Sequence, residues 1–152
     1  SFEPAGHRIA DVATVDGVRW VDDSKATNGH AAETSLLAYE SVVWIAGGMA
    51  KGQEFDELVQ RTRARMRGAV LLGVDRAKVR EALARHAPEV TVIEVDRTDT
   101  GAMDDVVRAA AGIARPGDTV LLAPGCASWD MFRDYAHRGD AFADSVRRIV
   151  QG

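Results

Sequence analysis

Residues 22–28, Asp22-Asp23-Ser24-Lys25-Ala26-Thr27-Asn28, put two carboxylates, two hydroxyls, an amide and an ammonium in one short stretch. The strand-like Val18-Arg19-Trp20-Val21 precedes it, and Ala32, Ser35, Leu36 and Tyr39 follow at helical spacing. In an open α/β sheet, ligands bind beyond the carboxyl ends of the strands, where this turn would lie. Helix capping is the plain alternative, because Asp, Ser, Thr and Asn are the usual caps. Capping does not explain Lys25, since a cation sits badly at the positive end of a helix dipole unless an anion joins it.

Two more loops invite the same question. Gly47-Gly48-Met49-Ala50-Lys51-Gly52 has the glycine separation of a phosphate loop, but Gln53 and Glu54 stand where that motif needs Lys and Ser or Thr. No G-x-G-x-x-G occurs, so a dinucleotide fingerprint is missing as well. What remains is a glycine-flexible strand end that presents Lys51 beside free backbone N–H groups, suited to a carboxylate or a single phosphate. A solvated loop lysine is the alternative. Ala123-Pro124-Gly125-Cys126-Ala127-Ser128 is built of small residues that allow close approach, with Ser128 expected near a helix start. There an ordinary Ser cap is the alternative. Cys126 lacks an evident base and reads as a small buried residue. His7, His30, His86 and His137 form no dyad, and His86 falls on a core stripe. Asp22 and Asp23 should diverge, one toward the ligand edge and one into solvent. With Arg8, the cations Lys25 and Lys51 and the neighbouring hydroxyls describe a site for a small carboxylate or phosphate.

These loops need a scaffold. Ile9–Val15 and Val18–Val21 read as a hairpin about Asp16-Gly17. Strands then alternate with helices: strands at 42–46, 69–72, 90–95 and 119–122. Helical stripes run through Phe55, Leu58, Val59, Thr62 and Met66, through Val79, Ala82, Leu83 and His86, and through Met103, Val106, Val107, Ala110 and Ile113. A short helix is expected after Ser128, and a last one after Arg138-Gly139-Asp140 with Phe142, Val146 and Ile149 inward. This pattern predicts an α/β, Rossmann-like, open and mostly parallel sheet with helices on both faces and an antiparallel N-terminal hairpin. The loops 22–28, 47–54, 73–76, 95–100 and 123–130 should share one edge.

With 152 residues, 46% hydrophobic and 28% charged, the chain reads as one soluble domain, residues 1–152. No apolar run approaches the roughly 20 residues of a membrane span. A net charge of −4 argues against nucleic acid or an anionic membrane as main partner. A single cysteine excludes an internal disulfide and points to a reducing cytoplasm. Ser1 in place of an initiator Met suggests a processed or excised piece. Sixteen arginines against three lysines read as genome composition rather than function.

In order along the chain, His7-Arg8, Asp23-Ser24-Lys25-Ala26-Thr27-Asn28, Gly47-Gly48-x-x-Lys51, Pro124-x-Cys126-Ala127-Ser128-x-Asp130-x-Phe132 and Arg138-Gly139-Asp140-x-Phe142 resemble one family. They look like the carboxyl-terminal domain of the Mur ligases, ATP-dependent amino-acid ligases of peptidoglycan precursor synthesis. The likeness is nearest to the branch that adds D-glutamate, on the strength of Ser24-Lys25-Ala26-Thr27-Asn28. It implies a cytoplasmic three-domain parent whose UDP-sugar and central ATPase domains lie outside this chain. It also implies a reaction: ATP, UDP-N-acetylmuramoyl-L-alanine and D-glutamate give the amide, ADP and phosphate through an acyl phosphate. Thr27 and Lys51 would hold one carboxylate of D-glutamate, and Ser128 with the backbone near Tyr135 the other. Asp23 would meet the nucleotide ribose, and Arg8 with Lys25 the phosphate side. Lys51 and Lys25 would contribute transition-state positioning. ATP and Mg²⁺ would be bound mainly by the central domain, with no metal site and no general base assigned here. No obligate protein partner is implied, and the isolated domain should be inactive. Gly125, Met49-Ala50, Gly29 and Tyr135 depart from common family residues. A sibling ligase for another amino acid, or a non-catalytic nucleotide- or carboxylate-binding module, stays open.

Overall fold

Asp16 and Gly17 both adopt positive φ, 51° and 78°, the backbone that a two-residue hairpin turn requires. They join β1 (Ala10–Val15) to β2 (Val18–Asp22) in an antiparallel pair with an irregularity between Asp11 and Ala13. The structure is a computed structural model and describes residues 9–152. Four further strands add in parallel: β3 (Val42–Gly47), β4 (Met66–Leu72), β5 (Thr91–Glu94) and β6 (Thr119–Leu122). The sheet order is β1-β2-β6-β3-β4-β5.

Alternation along the interior strands builds two cores. Val21, Trp44, Ala69, Leu71 and Leu121 face α1 (Gly29–Leu36), α2 (Asp56–Thr62) and α3 (Arg76–His86). Trp20, Val43, Ile45, Val70 and Leu122 face α4 (Ala102–Ile113) and α5 (Tyr135–Ser145), and α5 continues as a π-helical stretch, Val146–Gln151. All six residues of β3 are buried, as expected of a parallel strand covered on both faces. The expected doubly covered α/β sheet with its antiparallel hairpin is therefore present.

Four local expectations are corrected. Met66 continues the apolar spacing of α2 but opens β4, because a 3₁₀ turn at Arg63–Arg65 intervenes and reverses the chain. No helix follows Ser128. Residues 128–134 are turns and bends, with the N–H groups of Met131 and Phe132 both directed at the Ser128 carbonyl. The last helix begins at Tyr135, ahead of Arg138-Gly139-Asp140, because the Asp134 carboxylate accepts from the His137 N–H and caps it there. His86 is also off the core: its ring lies 2.8 Å from Asp56 and 3.2 Å from Gln60.

β6 lies between β2 and β3. The chain leaves β3 toward one face and β6 toward the other, so the loops after these adjacent strands diverge. This is a topological switch point, where an open α/β sheet makes its crevice.

Candidate active edge

The loops after β2, β3, β4 and β6 are tied together by main-chain bonds. Met49 and Ala127 exchange both N–H···O bonds at 2.9 Å, joining the loops after β3 and β6. The Gly125 N–H donates to the Ala26 carbonyl (2.9 Å), adding the loop after β2. The Asp75 carboxylate accepts from the Ala50 N–H at 2.8 Å, and that of Asp130 from the Val74 N–H at 2.9 Å, which adds the loop after β4. Gly48 carries φ 134°, and a Cβ there would collide with the Ala127 carbonyl, so only glycine permits this approach.

Two side chains cross-link these loops, and neither was singled out as functional from the sequence. Gln53 accepts from the Gly29 N–H (2.7 Å) and donates to the carbonyls of Ala50 (2.9 Å) and Gly125 (3.1 Å). Arg138 is 2% exposed and donates to the Ser24 hydroxyl (2.9 Å), the Ser24 carbonyl (2.7 Å) and the Cys126 carbonyl (3.0 Å). Burial lowers its pKa to about 10, so the guanidinium stays protonated at neutral pH. The Ser24 hydroxyl donates onward to the Tyr135 carbonyl at 2.7 Å, linking the start of α5 to the loop after β2.

The expected site residues occupy this edge. Lys51 and Gly52 take φ of 53° and 82° in a turn closed by the Gln53 N–H on the Ala50 carbonyl (3.1 Å), which projects the lysine outward. The left-handed Lys51 backbone costs roughly 1 kcal/mol. Its Nζ rests 4.1 Å from the ring centroid of Trp129, and Lys25 Nζ lies 5.9 Å from that of Tyr135. Both distances suit cation–π contact. Neither ammonium has an ion-pair partner among the described residues, whereas the third lysine, Lys78, pairs with Glu54 at 3.1 Å. Thr27 is half-buried beside Lys25, its N–H donating to the Lys25 carbonyl at 2.9 Å. Ser128 is buried at the head of its turn rather than at a helix start. Arg8 lies outside the described residues.

Other expectations change. Asp22 and Asp23 are both buried instead of divided between ligand and solvent, and Asp22 accepts from the Ser24 N–H at 2.9 Å. The N–H groups of Gly47, Met49 and Ala50 are not free for a ligand, being taken by Pro124, Ala127 and Asp75. Asn28 is the helix cap, accepting from the Ala31 N–H at 2.9 Å, so the capping explanation holds for Asn28 and leaves Lys25 unexplained. Burial pushes the Cys126 thiol up to about 12, consistent with an inert side chain.

Two hollows flank the lysines. Asp23, Lys25, Ala31, Thr34 and Ser35 line one of about 220 Å³, and the buried Ser35 hydroxyl makes no hydrogen bond among the described residues. The other, about 590 Å³, opens beside Trp129 and is lined by Met49, Val74, Arg76, Arg97 and Met131. No group of three or more His, Cys, Asp or Glu among the described residues is arranged to hold a metal ion, and no helix among them is long and apolar enough to cross a membrane. Such an edge can bind an anion bearing carboxylates through ammoniums that make no ion pair among the described residues, held on loops fixed to one another.

The family model for the Mur ligase, glutamate ligase domain, matches residues 7–126. The UDP-N-acetylmuramoylalanine–D-glutamate ligase of Streptomyces coelicolor is 68% identical over 149 residues, covering 98% of this chain and 32% of that protein. The ligase of the same name from Thermobifida fusca is 61% identical over 99% of this chain and 32% of its own length. The chain thus spans about a third of the length of the curated relatives it matches. UDP-N-acetylmuramate-alanine ligase of Thermotoga maritima superposes with a TM-score of 0.59 over 93% of this chain and 30% of that one, at 12% identity. Folylpolyglutamate synthase of the same organism superposes with a TM-score of 0.56 over 94% of this chain and 30% of that one, at 13% identity. At such identities the two structures speak for the fold.

Proposed function

Because this chain belongs to the Mur ligase family, matching its glutamate ligase domain, we propose that it is the amino-acid-binding domain of a ligase adding D-glutamate to UDP-N-acetylmuramoyl-L-alanine. The curated relatives carrying that activity in their names support this choice of amino acid. The observation that carries the reading is the pair of ammoniums, Lys25 and Lys51, that make no ion pair among the described residues and stand on an edge whose loops are locked together. A buried or edge cation without a carboxylate partner is poised for one from a ligand.

Lys51 and Thr27 hold one carboxylate of D-glutamate, and Ser128 with the main chain near Tyr135 holds the other. Two anchors fix the amine in attack geometry, which lowers the barrier through positioning. Asp23 meets the ribose in the smaller hollow, and Lys25 serves the phosphate side, a role the family resemblance also gives to Arg8. ATP supplies the phosphoryl group that activates the alanyl carboxylate. Its phosphate chain and Mg²⁺ belong to the rest of the ligase, since Gln53 and Glu54 stand where a phosphate loop has its lysine and hydroxyl. The edge keeps water from the activated carboxyl when the domains close. The full-length protein works in the cytoplasm.

Amino-acid-dependent ADP release by the full-length protein tests this, with D-glutamate and L-glutamate compared. Turnover is expected with D-glutamate alone, and Lys51→Ala should lower kcat/KM by about 10²–10³, the loss of a charged anchor. Turnover with another amino acid would reassign the chain to a sibling activity. No turnover with any would leave a binding module.

A further inference from the structure

Lys51 stands on a rigid turn, but its ammonium is at the end of four rotatable bonds and makes no ion pair among the described residues. One contact fixes where it points: the indole of Trp129, 4.1 Å away. We propose that Trp129 is a positioning residue, holding the Lys51 ammonium over its ring face so that an arriving carboxylate meets a cation already in place. This rests on the reading of Lys51 as a glutamate anchor.

Trp129 is 63% exposed, while Trp20 and Trp44 are buried in the two cores, so hydrophobic packing does not account for its ring. Its backbone is held from three sides. The Ser128 carbonyl accepts from Met131 and Phe132, Asp130 binds the Val74 N–H, and Ala127 is locked to Met49. Ring and lysine therefore stand on loops joined to each other, which sets their separation through main chain. The ring face occupies one side of the ammonium, and its remaining N–H directions stay open to a ligand. The indole also screens that side from water, which strengthens attraction between Lys51 and a carboxylate. Trp129 follows Ser128, so the residue that steers one proposed carboxylate anchor is covalently adjacent to the other.

Steady-state kinetics of the full-length ligase separate the possibilities. Trp129→Ala should raise KM for D-glutamate roughly 3- to 30-fold, the range set by cation–π energies, with kcat within about threefold and KM for ATP unchanged. Trp129→Phe, which keeps a ring face, should recover most of the loss. Trp129→Leu, which keeps apolar bulk without a π face, should not. In a Lys51→Ala background, Trp129→Ala should add nothing to the defect. A merely structural role would lower kcat with the folded fraction and leave KM alone. If Trp129→Ala or Trp129→Leu shows wild-type KM while Lys51→Ala collapses activity, the positioning role is overturned and the anchor reading stands. If Lys51→Ala is itself silent, the anchor reading fails.

Discussion

The sheet buries a charge at each end of its strands, and does so in opposite ways. At the amino end, Asp118 is met by the Arg67 guanidinium, the Ser41 hydroxyl (2.7 Å) and the Arg115 N–H (2.8 Å). Burial acts against the ionised form, yet these bonds outweigh it and hold the carboxyl below the usual carboxylate range. At the carboxyl end, the Arg138 guanidinium donates only to neutral oxygens, those of Ser24 and Cys126. Among the described residues no carboxylate is within ion-pair distance of it; Asp22 and Asp130 act on it through space. The buried charge at the amino end is thus neutralised internally. Among the described residues, Arg138, Lys25 and Lys51 at the carboxyl end make no ion pairs, and so retain attraction for an anion from outside.

The largest expected effect tests that contrast at its centre. Arg138→Met strands the Ser24 and Cys126 carbonyls and unties two loops, and should cost about 3–5 kcal/mol in urea unfolding, with D-glutamate-dependent turnover lost. A loss below about 1 kcal/mol would mean the loops hold without it. Gln53→Ala comes next. It removes three bonds that tie its own loop to two others and should cost about 1.5–3 kcal/mol, with a raised KM for D-glutamate, because Gly29, Ala50 and Gly125 all lie on the same edge. Unchanged KM in a destabilised Gln53→Ala protein would confine Gln53 to stability. The smallest effect belongs to the opposite end. Asp118→Asn should cost about 1–2 kcal/mol near neutral pH and leave KM untouched. The Asp118 carboxyl is depressed in the folded state, so its contribution is complete above the unfolded value near pH 4 and disappears as pH falls through the lower folded value. The stability difference between wild type and Asp118→Asn, followed by urea unfolding from pH 6 to 2, should therefore shrink toward acid. A difference that grows toward acid would contradict the assignment.

Much of the frame was legible in the sequence, because interior strands such as Val42–Gly47 are continuous apolar runs and their ends are marked by Gly, Pro and polar residues. That the loops carrying Lys25, Lys51 and Ser128 share one edge followed from strand direction alone. The failures have physical causes. Met66 satisfies both a helical stripe and a strand start, and a 3₁₀ turn decided between them. The cap at Asp134 was hidden, because Ser128 offered an equally good cap six residues earlier. Gln53 was read only as the wrong residue for a phosphate loop, since its partners at 29, 50 and 125 are brought near by the fold. Arg138 belonged to a recognised motif, but its bond to Ser24 spans 114 residues and no local pattern reports such a contact. The stacking of Lys51 on Trp129 depends on a two-loop bridge of the same kind.

That bridge between Met49 and Ala127 is made of main chain on both sides. Its grip does not depend on which side chains those positions carry, so long as Gly48 stays bare. Residues exposed on this edge, such as Lys51 and Trp129, can then be exchanged singly without disturbing the floor beneath them. Substrate preference on such a platform is free to drift in small steps, with each intermediate still folded.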